Sequence, residues 1–252
     1  MKLSDEQRRS FESQGFVHLP AVVPPALVEI MREESDLAVQ WQREQLARGA
    51  GAESLTHPDQ HFFVPRRNLE RPAIRDYVRS PHMLDICRGL LGDEVWMFSE
   101  IFVTKLAGCT FPFGWHQDTG YVHAFGFTQF PPNITVWTSL DDAGPDNGCL
   151  YALPFDDTQT PAVRPHHQDE FGNQVADFGV DETAGVPLPT KAGDVLVLNG
   201  LLPHRSGPNS SGAARRAHLV QYSREPLLLD SGEPVHQALS ILRHGAVVPV
   251  AE

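Results

Sequence analysis

Apolar positions along this chain change their period near residue 92. Before it they recur at helical spacing, and after it they gather into short runs that alternate or are wholly apolar. Ser4 and Gln7 form a capping box for a short helix that Gly15 ends, and Phe16-Val17-His18-Leu19 reads as a strand. Pro24-Pro25 opens a long helix through about Gln45, with Leu27, Ile30, Met31 and Leu37 at helical spacing. The stretch from Gly49 to His61, rich in Gly, Ala and His, is expected to be a mobile connection. A further helix runs from Pro81 to Leu91, with Ser80 as its cap and Gly92 as its stop.

Strands dominate the remainder. Val95 to Leu106 is apolar and aromatic, and β-like runs follow at Ile134–Leu140, Cys149–Leu153, Val195–Leu198 and Ala217–Ser223. Helices first and strands later predict a mainly β fold with flanking α. The architecture expected is a double-stranded β-helix (a cupin-like jelly roll) with the N-terminal helices packed on one sheet. A chain of 252 residues can form this as one domain, with a helical part at about 1–92 and a β-helix core at about 93–225. Two irregular stretches stand out. Residues 119–132 carry aromatics suited to a lid or a packed loop, and 156–189 lack periodicity, as an insertion at the barrel mouth would.

The candidate chemistry lies among those strands. His116 and Asp118 are two residues apart, which on a β-strand puts both side chains on one face and Gln117 on the other. His204 follows the strand Val195–Leu198, itself opened by the turn Lys191-Ala192-Gly193-Asp194. Two imidazoles and a carboxylate are the ligand set of the facial triad that holds iron(II) with positions left open for chemistry. Arg215, eleven residues after His204, starts a segment that could run antiparallel to the His204 segment and clamp a carboxylate through a guanidinium fork. Taken alone, a His-x-Asp pair is more often a surface hydrogen bond, and a strand arginine more often an ion pair. Arg216 beside Arg215 leaves the register open by one.

The ordered set resembles the phytanoyl-CoA dioxygenase family of iron(II)- and 2-oxoglutarate-dependent oxygenases. The likeness rests on Trp-His116-Gln-Asp118, Val136-Trp137, Asn147-Gly148-Cys149-Leu150, Ala192-Gly193-Asp194 and His204-Arg-Ser206-Gly-Pro-Asn with Arg215, and it runs from about residue 10 to 225. It implies iron held by His116, Asp118 and His204, with Arg215 binding the 2-oxoglutarate C5 carboxylate and Trp137 and Ser206 lining the cosubstrate pocket. It also implies O2 as oxidant and hydroxylation of an unactivated C–H bond with release of succinate and CO2. Related halogenases replace the carboxylate that Asp118 supplies. Where the family often has Pro-Gly-Ser-His after the Asn-Gly-Cys segment, this chain has Pro154-Phe155-Asp156-Asp157, so substrate contacts do not carry over.

Other residues have plainer readings. Lys105 ends the strand before the triad and either faces the cosubstrate or is a solvated strand-end lysine. Adjacent His166 and His167 point to opposite faces of an extended chain, as a loop pair without metal would. His18, His123 and His218 read as satisfied or exposed imidazoles, and Trp137 serves equally as core. Arg66 and Arg67 either meet an anionic substrate group or are solvated.

Composition narrows the partners. A formal net charge of -12 argues against nucleic acid, and with no basic patch for a CoA phosphate evident, the substrate that the resemblance implies is a free small molecule. Three cysteines without paired spacing indicate neither a disulfide framework nor a zinc ribbon, as in a reducing cytoplasm. No apolar run approaches the ~20 residues of a membrane span. Two other classes remain open: a cupin-like isomerase or hydrolase, which would not need Arg215, and a β-sandwich binding module, which would hold no metal.

Overall fold

The computed structural model describes residues 2–50, 55–123, 130–155, 162–181, 183–229 and 231–249. In chain order the helical part contains α1 (Asp5–Gln14), β1 (Phe16–Leu19), α2 (Pro25–Ala47), β2 (His61–Pro65), a 3-10 turn (Arg67–Leu69), α3 (Pro72–Tyr77) and α4 (Pro81–Leu90). The β part contains β3 (Val95–Lys105), β4 (Phe113–His116), the short α5 (Asp118–His123), β5 (Asn133–Ser139), β6 (Leu150–Ala152), β7 (His166–Gln168), β8 (Gln174–Ala176) and β9 (Val186–Leu188). It closes with β10 (Val195–Asn199), β11 (His204–Ser206), β12 (Arg215–Ser223), β13 (Leu239–Arg243) and β14 (Ala246–Val247).

The strands form a major antiparallel sheet in the order β1-β10-β5-β12-β3-β13-β14 and a minor sheet in the order β4-β11-β6-β9. The outer edge of β3 is shared, β2 pairing with residues 101–105 and β13 with 95–97. Strand alternation sends each element's side chains to two destinations. Phe62, Val64, Phe102, Val136, Val197, Val220 and Tyr222 pack beneath the helices, joining Val28, Met31, Ile74, Met83 and Ile86 in one core. Val103, Trp137, Leu196, Ala217 and Leu219 point the other way and meet Leu150, Ala152 and Leu188 of the minor sheet. This is the expected jelly roll, with the N-terminal helices packed on one sheet.

Local sequence explains the frame. Ser4 and Gln7 make the reciprocal capping box and Gly15 closes α1 at φ 80. Gly193 has φ +91, and a β-carbon there would stand 2.7 Å from the Val23 carbonyl oxygen. Its neighbour Asp194 accepts from the Ala21 and Lys191 amides at 2.8 and 2.9 Å and pairs with His18 at 2.9 Å, so the Ala-Gly-Asp turn ties β10 to the β1–α2 connection.

Several expectations need correction. The buried face of α2 is Val28, Met31, Ser35, Ala38 and Gln42, while Ile30 and Leu37 are exposed at 44% and 46%. The span read as a mobile connection ends in β2, where it joins the sheet at His61. Ser80 makes no side-chain cap, although α4 starts at Pro81 as expected. Irregular 156–189 contains β7, β8 and β9, with 156–161 and 182 outside the described residues. The middle of the expected lid, 124–129, also lies outside them, as does the side chain of His123.

Candidate metal centre

Three short pieces bring the triad residues together. β4 ends at His116, α5 begins with Asp118, and β11 begins with His204, which is the register partner of His116. All three residues are buried, and one nitrogen or oxygen from each lies within 4.8 Å of the others. The expectation that His116 and Asp118 share one strand face is therefore overturned. The chain leaves β4 at Gln117 and turns into a helix, and Asp118 reaches the centre from that turn.

Gln117 makes the turn. Its side-chain amide donates to the Leu201 carbonyl at 2.6 Å and the Ala162 carbonyl at 3.0 Å, and accepts from the Arg164 amide at 2.8 Å. His166 Nε2 accepts the Gln117 backbone N–H at 3.1 Å, and the His166 ring fits only because Gly120 lacks a β-carbon. His166 thus braces the turn instead of supplying a second centre, and His167 is exposed.

The orientation of these side chains is fixed from outside. The His116 and His204 Nδ1 atoms face the Gly114 and Leu202 carbonyls at 2.9 and 3.0 Å, so Nδ1–H donates there and each Nε2 lone pair faces inward. Burial, then the nearby His204, pushes the His116 pKa well below the ordinary range, which favours the neutral, ligating ring. Thr135 Oγ1 donates to Asp118 Oδ2, leaving Oδ1 on the side of His204 Nε2, 4.0 Å away. Gln221 Nε2 in turn donates to Thr135 Oγ1 at 3.2 Å.

A cavity of about 390 Å³ opens from this cluster between the sheets, walled by Phe63, Ile101, Val103, Trp137, Leu150 and Leu219 and including Ser206. Arg215 does not lie beside the His204 segment, as expected, but on β12 in the opposite sheet, between β5 and β3. The chain crosses from minor to major sheet between Ser206 and Arg215. Arg215 is 1% exposed, its guanidinium stands 5.3 Å from the ring centre of cavity-lining Trp137, and among the described residues Nε, Nη1 and Nη2 have no hydrogen-bond partner. Burial lowers its pKa only to about 10, so it stays charged at neutral pH.

Opposite Arg215 in the β12–β3 register is Lys105, also 1% exposed, so the solvated reading of that lysine is wrong. Its ammonium donates to the Phe111, Ser206 and Gly207 carbonyls, and Gly148 leaves room for its stem. Burial, then the Arg215 charge, pulls its pKa down to about 7. A buried, unpaired guanidinium is costly in isolation, and its natural complement is a carboxylate. The donor set therefore fits both groups that the resemblance implies: a metal at the His-Asp-His cluster and a carboxylate at Arg215.

The family model for phytanoyl-CoA dioxygenase (PhyH) matches residues 11–217. The chain belongs to this family. Among curated relatives it is 24% identical over 224 residues to the 2-aminoethylphosphonate dioxygenase of uncultured bacterium HF130_AEPn_1, covering 88% of this chain and 82% of that protein. It is 26% identical over 235 residues to the methylphosphonate hydroxylase of Gimesia maris, covering 88% and 81%. The fold is shared with the alpha-ketoglutarate-dependent carbocyclase SnoK from nogalamycin biosynthesis, at a TM-score of 0.70 and 22% identity over 94% of this chain and 95% of that one. The protein is accordingly an iron- and 2-oxoglutarate-dependent oxygenase.

Sequence reasoning missed several residues of this site. Phe63 and Pro65 of β2 line the cavity, although the apolar run Phe62-Phe63-Val64 was a readable strand signal. Thr135, which holds Asp118, carried no signal. Gln237 lies beyond the family match, and no motif marks it.

Proposed function

We propose that this enzyme hydroxylates an unactivated C–H bond of a small organic molecule, releasing succinate and CO2. In this reading His116, Asp118 and His204 hold iron, and Arg215 pairs with the C5 carboxylate of 2-oxoglutarate, with Lys105, Ser206 and Trp137 around it. The whole chain, 1–252, acts as one domain in the cytoplasm; among the described residues no helix is long and apolar enough to cross a membrane. Relatives named for small phosphonates support a small-molecule substrate.

The observation that carries the proposal is the unpaired Arg215 guanidinium, buried beside a cavity that also contains an inward-facing His-Asp-His set. A cupin-like isomerase or hydrolase has no use for such a cation. Iron and 2-oxoglutarate, when bound, supply the oxygen-activating chemistry. The chain's own residues do the rest. The Gly114 and Leu202 carbonyls hold both imidazoles in one tautomer, Thr135 keeps one Asp118 oxygen occupied, and Arg215 orients the cosubstrate by its far carboxylate. Phe63, Ile101, Trp137 and Leu219 keep water from the apolar space where a substrate C–H bond must sit.

The test is coupled turnover. Iron-loaded wild type, offered a panel of small acids and phosphonates, should release succinate from 2-oxoglutarate in step with O2 consumption and with appearance of a product heavier by one oxygen atom. Asp118→Ala should do neither. Succinate-free turnover, or product without a gained oxygen, would contradict the proposed reaction.

A further inference from the structure

Arg66 and Arg67 are adjacent, yet the structure separates their roles. Arg67 is buried, donates to Glu70 at 3.0 Å and lies over the Trp41 ring at 4.3 Å. Arg66 is exposed, lines the cavity, and among the described residues its guanidinium has no ion-pair partner. Its backbone is left-handed, with φ 62 and ψ 27, a conformation that a β-carbon makes unfavourable.

A polar frame holds Arg66 there. Its N–H donates to the Glu100 carbonyl at 2.9 Å. The Glu100 carboxylate accepts from the Asn68 amide at 3.0 Å and pairs with His218 at 2.7 Å. Asn68 and Gln237 exchange side-chain amide bonds at 3.1 and 3.3 Å, and the Gln237 N–H reaches the Phe98 carbonyl at 3.0 Å. Gln237 therefore positions the C-terminal segment, and His236 with it, against the cavity. Burial, then the Arg66 charge, lowers the His236 pKa, so the ring beside Arg66 is neutral.

The inner face of β3 and β12 orders the cavity lengthwise. Lys105 opposite Arg215 lies beyond one end, Ile101 opposite Leu219 lines the middle, and Ser99 opposite Gln221 lines the other end. From Lys105 to Ser99 is about 20 Å of strand. Arg66, held by Glu100, stands at the Ser99 end. Asp118 is the sole carboxylate among the described residues that line the cavity. The space thus has Arg66 in its lining at one end, an apolar middle and the His-Asp-His cluster on its wall, while Arg215 is buried outside the lining, against Trp137.

We propose that Arg66 binds an anionic group of the substrate, a carboxylate or phosphonate, while its apolar body lies over Phe63, Ile101 and Leu219. This rests on the proposed function, in which the Arg215 end holds the cosubstrate. The anion then fixes which carbon faces the metal ligands, and Arg66 sets specificity.

The experiment is anaerobic calorimetry on enzyme loaded with iron(II) and 2-oxoglutarate, after its visible charge-transfer band has been recorded. The probes are 4-phenylbutanoate, 2-phenylethylphosphonate and neutral 4-phenylbutanamide. Wild type and the surface control Arg48→Gln should bind at least one of the two anions roughly tenfold more tightly than the amide. Which of the two binds better tells carboxylate from phosphonate. Arg66→Gly, suited to a left-handed position, should keep wild-type thermal stability or exceed it and lose that preference; Arg66→Lys should keep part of it. No anion preference in wild type, or one that survives in Arg66→Gly, overturns the proposal. With the band intact, such a result removes only the role of Arg66; a wild type that forms no band removes the proposed function as well.

Discussion

The two faces of strand β12 treat buried charge in opposite ways. His218 points toward the helices, is fully buried, and spends its Nε2 on Glu100 at 2.7 Å. Its Nδ1 has no partner among the described residues, but the charged Glu100 does, and nearby polar groups are paired: Tyr77 with Thr138 at 2.7 Å, Ser35 with Thr104 at 3.2 Å, and the Tyr222 hydroxyl with the Val78 carbonyl at 2.7 Å. Arg215, three residues earlier and on the inner face, is as deeply buried, and none of its three nitrogens is hydrogen-bonded among the described residues. A charge whose partner is inside the fold stabilises it; a whole cationic group left unpaired beside a cavity points to a ligand.

Substitutions on the two faces should separate these roles. Arg215→Met should weaken 2-oxoglutarate binding by roughly a hundredfold or more, since a charge-assisted pair of this kind is worth about 3–5 kcal/mol when broken. The same change should leave the ligand-free protein as stable or more so, because a desolvated charge is removed. His218→Leu should do the reverse, costing about 3 kcal/mol by stranding Glu100 while leaving 2-oxoglutarate affinity near wild type. Titration calorimetry and thermal melts read both. Equal stability losses in the two variants would erase the distinction.

A smaller effect is expected one step outside the ligands. Thr135→Val removes the donor to Asp118 Oδ2 and should weaken iron(II) binding by roughly tenfold without lowering the melting temperature by more than a few degrees. Unchanged iron affinity would show that packing alone orients Asp118.

A further effect is one of pH. The Lys105 pKa is pulled down to about 7 in the fold, from an ordinary value of 10.5. Between those values the unfolded chain binds more protons, so ligand-free stability gains from Lys105 as pH rises through 7, and the full desolvation cost is felt below it. Lys105→Met should therefore stabilise the ligand-free protein more near pH 6 than near pH 9. A constant difference across that range would mean that the ammonium keeps its proton.

Much of this was legible in the sequence because it is written locally. The capping box at Ser4, the left-handed Gly15 and the apolar runs of β5, β10 and β12 depend on neighbours in the chain. The ordered motif set also pointed to the residues that converge. What failed depends on tertiary geometry. Spacing alone placed His116 and Asp118 on one strand, whereas the Gln117 amide, bonded to residues 162, 164 and 201, turns the chain between them. Proximity in sequence put Arg215 beside His204, but the connection crosses from one sheet to the other. Lys105 looked like a strand end in water because what buries its ammonium, the Phe111, Ser206 and Gly207 carbonyls, comes from segments up to 102 residues away.

The most direct measurement is anaerobic titration of the metal-free protein with iron(II) and 2-oxoglutarate, followed by the visible charge-transfer band of the chelate. The expected result is a saturable band in wild type, its absence in His204→Ala, and in Arg215→Ala a band that needs far more 2-oxoglutarate to appear. A folded, iron-loaded wild type that shows no band, or an Arg215→Ala variant that saturates at the wild-type concentration, would contradict the assignment of iron to the triad and of the cosubstrate carboxylate to Arg215.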